Sequence, residues 1–129
     1  MRKNLILLPL VLLAAGAVQA GTYSVLQDSQ CNLITPADLT RVIHKAGTDT
    51  GLDLPKGMAI HAEVQCAPDA AGKRFVYTIR AAIEKQVNDG EAQRWTTLAQ
   101  QTGYGTTAGT ATLLRQVHFT IRDVIRQEP

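Results

Sequence analysis

The stretch from Gly57 to Cys66 constrains the fold more than any other, because apolar side chains alternate there with mostly polar ones. One set of alternate positions holds Met58, Ile60, Ala62, Val64 and Cys66. The other set holds Ala59, His61, Glu63 and Gln65. A period of two residues is typical of a β-strand with one buried face. We therefore predict a strand here, and its last inward-facing residue is one of the only two cysteines in the chain.

The first 20 residues have the pattern of a secretory signal peptide. Arg2 and Lys3 precede an apolar run from Leu5 to Val18, which closes with Val18-Gln19-Ala20. A basic start, a short apolar middle and small residues at the cleavage position are the features of such a leader. We predict cleavage after Ala20, with Ala17 as the competing site. A cysteine after the leader would indicate a lipid anchor, and none stands there, so no anchor is expected.

The predicted mature chain, residues 21–129, is nearly neutral. Arg2 and Lys3 belong to the leader, and without them the 13 basic residues become 11, which equals the 11 acidic residues. General affinity for nucleic acid or for an anionic membrane is therefore not expected. Residues 21–129 are enough for a single domain, and no run in them is apolar for long enough to span a bilayer. We predict a secreted or periplasmic protein without stable membrane insertion.

Cys31 and Cys66 predict one structural disulfide. An even number of cysteines in an exported chain favours a bridge, because the compartments outside the cytoplasm are oxidising. The two residues are too far apart in sequence for a redox Cys-x-x-Cys pair. Two buried free thiols are the alternative interpretation.

Two helices are indicated, one on either side of the strands. The first starts with Thr35 as N-cap, Pro36 at the first helical position and Asp38 three residues after the cap, and it ends at Gly47 or Gly51. The last helix follows a linker at Gly103–Gly109, with Thr106, Thr107 or Thr110 as its cap. Its apolar stripe consists of Leu113, Leu114, Val117, Ile121, Val124 and Ile125.

Two further strands complete the predicted fold. Residues 75–84 alternate in polarity, Asn88-Asp89-Gly90 is a hairpin signal, and a third strand is expected over Ala92–Thr102. A bulge would reconcile Trp95 and Leu98, which are both large and apolar. Gly21–Asn32 is interpreted as an edge strand or an extended arm. We predict a two-layer α+β domain: a three-stranded antiparallel meander in the order α-β-β-β-α, with both helices on one face.

No constellation of residues predicts catalysis, a cofactor or a metal. The histidines fall on separate predicted elements without the spacing of a metal site. The segment 103–110 is rich in glycine but lacks the lysine of a P-loop. Glu63 and Glu84 could share a sheet face, as a glycosidase pair would, but no cleft is predicted around them. We therefore expect a protein that is not an enzyme and has neither a cofactor nor a bound metal.

Two surfaces are candidates for contact with a partner, although both are also explained as solvated faces. One is the outward face of the sheet, and the other is the outward side of the last helix, where an aromatic residue stands among arginines. The candidate residues are His61, Glu63, Arg80 and Arg94 on the sheet, and Arg115, Phe119, Arg122 and Arg126 on the helix.

These expectations favour a small exported bacterial protein that binds another macromolecule without catalysis, as virulence modulators, inhibitors and immunity proteins do. The expected partner is another protein, with an anionic glycan as the alternative, and not nucleic acid. A periplasmic accessory or assembly factor and a small secreted hydrolase are the alternative functions.

Overall fold

The computed structural model describes residues 17–20 and 23–127 of the chain. Of the predicted leader it describes only the last four residues, and the rest lies outside the described part. The strands are β1 (Ala17–Ala20), β2 (Tyr23–Gln30), β3 (Met58–Pro68), β4 (Phe75–Asp89) and β5 (Ala92–Thr107), and the helices are α1 (Pro36–Thr50) and α2 (Thr110–Arg126).

The sheet is mixed, with the strand order β1-β2-β3-β4-β5. The predicted antiparallel meander is present as β3, β4 and β5. The predicted order α-β-β-β-α is wrong, because β2 precedes α1 and pairs in parallel with β3, from Ser24 opposite Ala59 to Gln30 opposite Gln65. Parallel neighbours need a crossover, and α1 provides it. Sequence patterns identify a β-prone run at this position but not the strand with which it pairs.

Helix α1 begins as predicted. The Thr35 hydroxyl accepts a hydrogen bond from the backbone N–H of Asp38 at 3.0 Å, and the Asp38 carboxylate accepts one from the backbone N–H of Thr35 at 3.2 Å. These reciprocal bonds form a capping box. A hydrogen bond from Arg41, together with the bonds from Thr35, holds the pKa of the Asp38 carboxyl below its ordinary value. The helix ends at Gly51, whose φ of 67° is the left-handed conformation that glycine adopts without strain.

Both helices pack on one face of the sheet, as predicted. Alternate residues of β3 and β4 point to this face, and their side chains form a single core with the apolar stripes of α1 and α2. The largest side chains in this core with almost no exposed surface are Val25, Leu39, Ile43, Ile60, Val64, Ile79, Ile83, Leu113, Val117, Ile121 and Val124. The opposite face of the sheet, called the outer face below, carries the polar members of the alternating strands.

The predicted disulfide is present. Cys31 and Cys66 are joined, with their Cα atoms 4.7 Å apart. Gln30 lies opposite Gln65 in the parallel pair, so Cys31 and Cys66 are the next two residues that would lie opposite each other. It therefore fastens the ends of β2 and β3 just before the chain turns into α1.

Strand β5 contains the predicted bulge. Ile83 lies opposite Ala99 and Glu84 lies opposite Thr97, which leaves Leu98 as the extra residue. An extra residue changes which alternate positions point to a given face. As a result Trp95, opposite Gln86, lies on the outer face, and Leu98 is 53% exposed.

The linker predicted at Gly103–Gly109 is wrong over most of its length, because β5 continues to Thr107. Gly103 and Gly105 belong to this strand and face the helices, where a Cβ atom would lie 3.2 Å from Thr120 Oγ1 and 2.7 Å from Tyr77 Oη, respectively. The glycines are thus explained by close packing and not by a turn. Helix α2 is capped at Gly109, whose backbone N–H donates to the Thr107 hydroxyl at 3.2 Å.

Replacing Gly105 by alanine is expected to lower the free energy of unfolding by about 1 to 3 kcal/mol, the usual cost of overpacking. The new Cβ would also lie 3.0 Å from Tyr77 Cζ, and the Tyr77 side chain is buried with little room to move. Denaturant unfolding of Gly105→Ala and of Gly105→Ala combined with Tyr77→Phe measures the effect. The second variant should recover part of the loss, whereas an unchanged stability of Gly105→Ala would contradict the packing argument.

Candidate functional site

The outer face brings together residues of three neighbouring strands. In the register of the sheet, Glu63 of β3 lies opposite Arg80 of β4, and Arg80 lies opposite Thr102 of β5. Because alternate residues of a strand share a face, His61 and Glu84 join the same cluster. Sequence reasoning selected His61, Glu63 and Arg80 as candidate binding residues and noted that Glu84 could share their face, and the structure places all four side by side.

Arg80 is the centre of a hydrogen-bond network. Its Nη1 donates to Glu63 Oε2 at 2.8 Å, its Nε to Gln100 Oε1 at 3.0 Å and its Nη2 to Thr97 Oγ1 at 3.1 Å. A planar guanidinium with several bonded donors has one preferred orientation. The network therefore holds Arg80 and Glu63 in place on the surface.

Glu84 is the buried end of the same network, with only 6% of its surface exposed. Its carboxylate accepts a hydrogen bond from the Thr97 hydroxyl at 3.2 Å and lies 3.2 Å from His61 Nδ1. His61 Nε2 lies 3.5 Å from Glu63 Oε2, so the imidazole bridges the two carboxylates. Each carboxylate of the cluster is already engaged within the protein.

A groove lies beside this network on the outer face. It has a volume of about 390 Å³, and its lining includes Glu63 and Arg80 as well as Thr102 and Tyr104 of β5. A second hollow of about 260 Å³ shares Gln65 and Thr78 with it. Within the described part of the chain, the side chains of Gln65, Thr78 and Thr102 make no hydrogen bond. The groove thus offers free amide and hydroxyl groups next to a fixed ion pair.

Tyr104 is the residue of this site that sequence reasoning missed. Its side chain is 86% exposed, the highest value among the large apolar and aromatic residues described. The predicted strand ends at Thr102, and the predicted linker Gly103–Gly109 includes Tyr104. The alternation of Thr102, Tyr104 and Thr106 between glycines was the available signal.

Arg94 does not join the cluster. It lies opposite Val87, on the face to which Glu84 does not point, and its guanidinium pairs with Asp89 at 3.2 Å. The bulge at Leu98 is the physical reason, because it moves every residue before it to the other face. The predicted contribution of Arg94 to a sheet surface with Arg80 is therefore wrong.

The helix surface of Arg115, Phe119, Arg122 and Arg126 is present on the side of α2 that faces away from the sheet. Phe119 is only 36% exposed, because its ring has intramolecular neighbours. The Arg122 guanidinium carbon lies 4.9 Å from the ring centroid, and the His118 ring stands edge-to-face to it, with the two ring centroids 5.9 Å apart. These contacts explain an aromatic residue among arginines without a partner molecule.

His118 also connects the two helices. Its Nε2 lies 3.3 Å from Asp49 Oδ2 of α1. A hydrogen bond from Lys45, with a smaller effect from His118, holds the pKa of the Asp49 carboxyl below its ordinary value. In the part of the chain that the structure describes, His44, His61 and His118 do not meet, and no group of three histidine, cysteine or acidic residues could hold a metal ion.

Comparison with protein-family models and with curated proteins assigns no function to the chain, so any functional interpretation depends on the fold and the outer face. No protein-family model matches the chain, and no curated protein matches it. Neither described helix is long and apolar enough to cross a membrane. The described residues define a small disulfide-bonded α+β protein with a mixed sheet, and its outer face carries a polar groove beside a fixed Arg80–Glu63 pair.

Proposed function

We propose that this is a small exported protein that acts without catalysis, by docking another protein against the outer face of its sheet. The observation that carries the proposal is the groove of about 390 Å³ between an immobilised Arg80–Glu63 pair and the exposed ring of Tyr104. Tyrosine and arginine are the residue types that contribute most to binding at protein interfaces. A fixed arginine also loses little conformational entropy on binding.

The electrostatics of the face favour a protein over an anionic glycan. The donors of Arg80 are directed to Glu63, Gln100 and Thr97, so no free cationic group in the network faces the groove. The remaining groove groups are the neutral amide and hydroxyls of Gln65, Thr78 and Thr102. Such groups match the backbone and polar side chains of a partner protein.

The same contacts support a role without catalysis. A general acid or base must be able to reach a substrate atom, and here Glu63 and Glu84 are bonded to Arg80, Thr97 and His61. The alternative of a small secreted hydrolase would require one of these carboxylates to be released. The alternative of a periplasmic accessory factor would use the same face on a resident envelope complex.

The experiment compares partner capture by matched surface variants. The exported protein is cross-linked in its native envelope and medium, and the captured protein is identified and measured. Tyr104→Ala is expected to reduce capture at least tenfold, since removing a central interface aromatic usually costs about 2 kcal/mol or more of binding. Leu98→Ala is the matched control, because Leu98 is also exposed on β5 but lines neither hollow.

A third variant tests the helix surface. Phe119→Ala combined with Arg122→Ser should leave capture unchanged if the outer face is the docking site. Loss of capture in this variant, with Tyr104→Ala unaffected, would move the site to α2. Equal loss in the Leu98→Ala control would contradict a site at the groove.

A further inference from the structure

The free edge of β5 is the feature from which we draw a further inference. The sheet ends with β1 on one side and β5 on the other. At the other side, β1 pairs with Tyr23–Leu26 of β2, but Ala17–Ala20 belong to the predicted leader, so β2 becomes the edge strand there once the leader is removed. Unlike the second half of β5, β2 carries a charged residue, Asp28. In the described part of the chain, β5 pairs only with β4, so its other edge presents unpaired backbone N–H and C=O groups. Such an edge is a template for another strand.

The second half of β5 lacks the features that usually protect an edge. Charged side chains, proline and bulges prevent strands from pairing edge to edge. The first half of β5 has the charged Arg94 and the bulge at Leu98. The nine residues from Ala99 to Thr107 contain no charged residue and no proline, and they pair with β4 in unbroken register. All nine of these residues can therefore form backbone hydrogen bonds with a further strand.

We propose that a second copy of this protein pairs with this edge, antiparallel and centred on Gly103. Gly103 is the midpoint of the uncharged stretch, so this register lets all nine residues take part. A pairing of two identical strands about a two-fold axis is closed, and it yields a dimer and not a filament. The edge is complementary to itself, and for this reason we propose a second copy as its partner. Dimer formation would be a function of β5 in addition to lining the groove.

The register also provides a partner for the most exposed aromatic side chain. With Gly103 on the axis, Tyr104 of one copy lies opposite Thr102 of the other, on the outer face of both sheets. Pairs of an aromatic and a β-branched residue stabilise neighbouring strands. At the axis itself, glycine meets glycine without side chains. The two sheets become one, and their two grooves lie side by side on the same face.

The dimer is expected to be weak, because a single pair of edge strands buries less surface than stable interfaces do. Cross-linking can nevertheless detect the register. In protein purified from the exported fraction, the double variant Thr102→Cys/Tyr104→Cys places one new cysteine opposite another across the interface. Mild oxidation should convert most of it to a covalent dimer at high protein concentration.

The single variants are the controls. In the proposed register, residue 102 faces residue 104 of the second copy and not its own equivalent, so Thr102→Cys and Tyr104→Cys alone should each give at least fivefold less covalent dimer. Equal cross-linking of the single and double variants would overturn the proposal, because it would indicate random collision or a different register. Retention of the Cys31–Cys66 bridge in the covalent dimer shows that the fold is intact.

A charge test does not depend on cysteine chemistry. Gln100 faces Thr106 of the second copy, so Gln100→Lys/Thr106→Lys places like charges opposite each other twice and should weaken the dimer about tenfold. Gln100→Glu/Thr106→Lys places opposite charges there and should restore it. Sedimentation over a range of concentrations measures both. A native protein that stays monomeric throughout, or one that forms species larger than a dimer, would overturn the proposal.

Discussion

Reducing the Cys31–Cys66 disulfide is expected to lower the free energy of unfolding by about 4 kcal/mol. The bridge closes a loop with a sequence separation of 35 residues, and the chain-entropy model gives a cost of this size for a loop of that length. The loop contains α1 and most of β3, so the loss acts on the whole β2-α1-β3 unit. This is a large share of the stability of a small domain.

Urea unfolding under oxidising and reducing conditions measures the effect. The variant Cys31→Ala/Cys66→Ala should match the reduced protein and should not respond to reductant, which separates loss of the bridge from other effects of the reagent. Equal midpoints for the native protein under both conditions would contradict a stabilising bridge.

Replacing Arg80 by methionine is expected to cost about 2 to 3 kcal/mol of folding free energy. Methionine keeps much of the apolar stem, but it removes the charge that lies 3.7 Å from the buried carboxylate of Glu84 and the bond to Glu63. A buried charge left without its partner is more costly than the loss of the bond itself. Thr97 and His61 still contact Glu84, which keeps the cost below that of a completely isolated charge.

Arg74→Met is the matched control for this prediction. Arg74 directly precedes β4 and also bonds to β5, through Thr106, but it is exposed and has no carboxylate partner in the described residues. Its replacement should cost less than about 1 kcal/mol, as for exposed polar contacts. Similar losses for the two variants in denaturant unfolding would mean that the Arg80 network has no special role in stability. Glu84→Gln combined with Arg80→Met should recover part of the loss, because an amide is cheaper to bury.

The two largest expected effects concern different parts of the proposed function. The disulfide keeps β2 beside β3 and thus stabilises the sheet on which the groove lies. The Arg80 network determines the shape of one groove wall. We expect the reduced protein to lose capture together with its fold, and Arg80→Met to lose capture while it remains folded.

Local signals in the sequence predicted much of the fold correctly. The N-cap of α1 at Thr35 and its end at a glycine, with Gly47 and Gly51 as the candidates and Gly51 the one found, each depend on a few neighbouring residues. The bulge expected from the positions of Trp95 and Leu98 is also present. Alternation in β3 and β4 identified the buried face, because the period of a strand is a property of its own backbone. His61, Glu63 and Arg80 could be assigned to one surface for the same reason.

Local sequence patterns were thus sufficient to predict both helices, the buried faces of β3 and β4, and the pairing of the two cysteines. The folded structure was needed to show that β2 runs parallel to β3 and that the bulge moves Arg94 away from Arg80. It also shows that β5 continues through Gly103 and Gly105 and exposes Tyr104. Each of these depends on a residue distant in sequence: a partner strand, a register, or the Tyr77 ring that leaves no room for a side chain. A local pattern reflects the conformational preference of one segment, whereas strand pairing and packing depend on the contacts between segments.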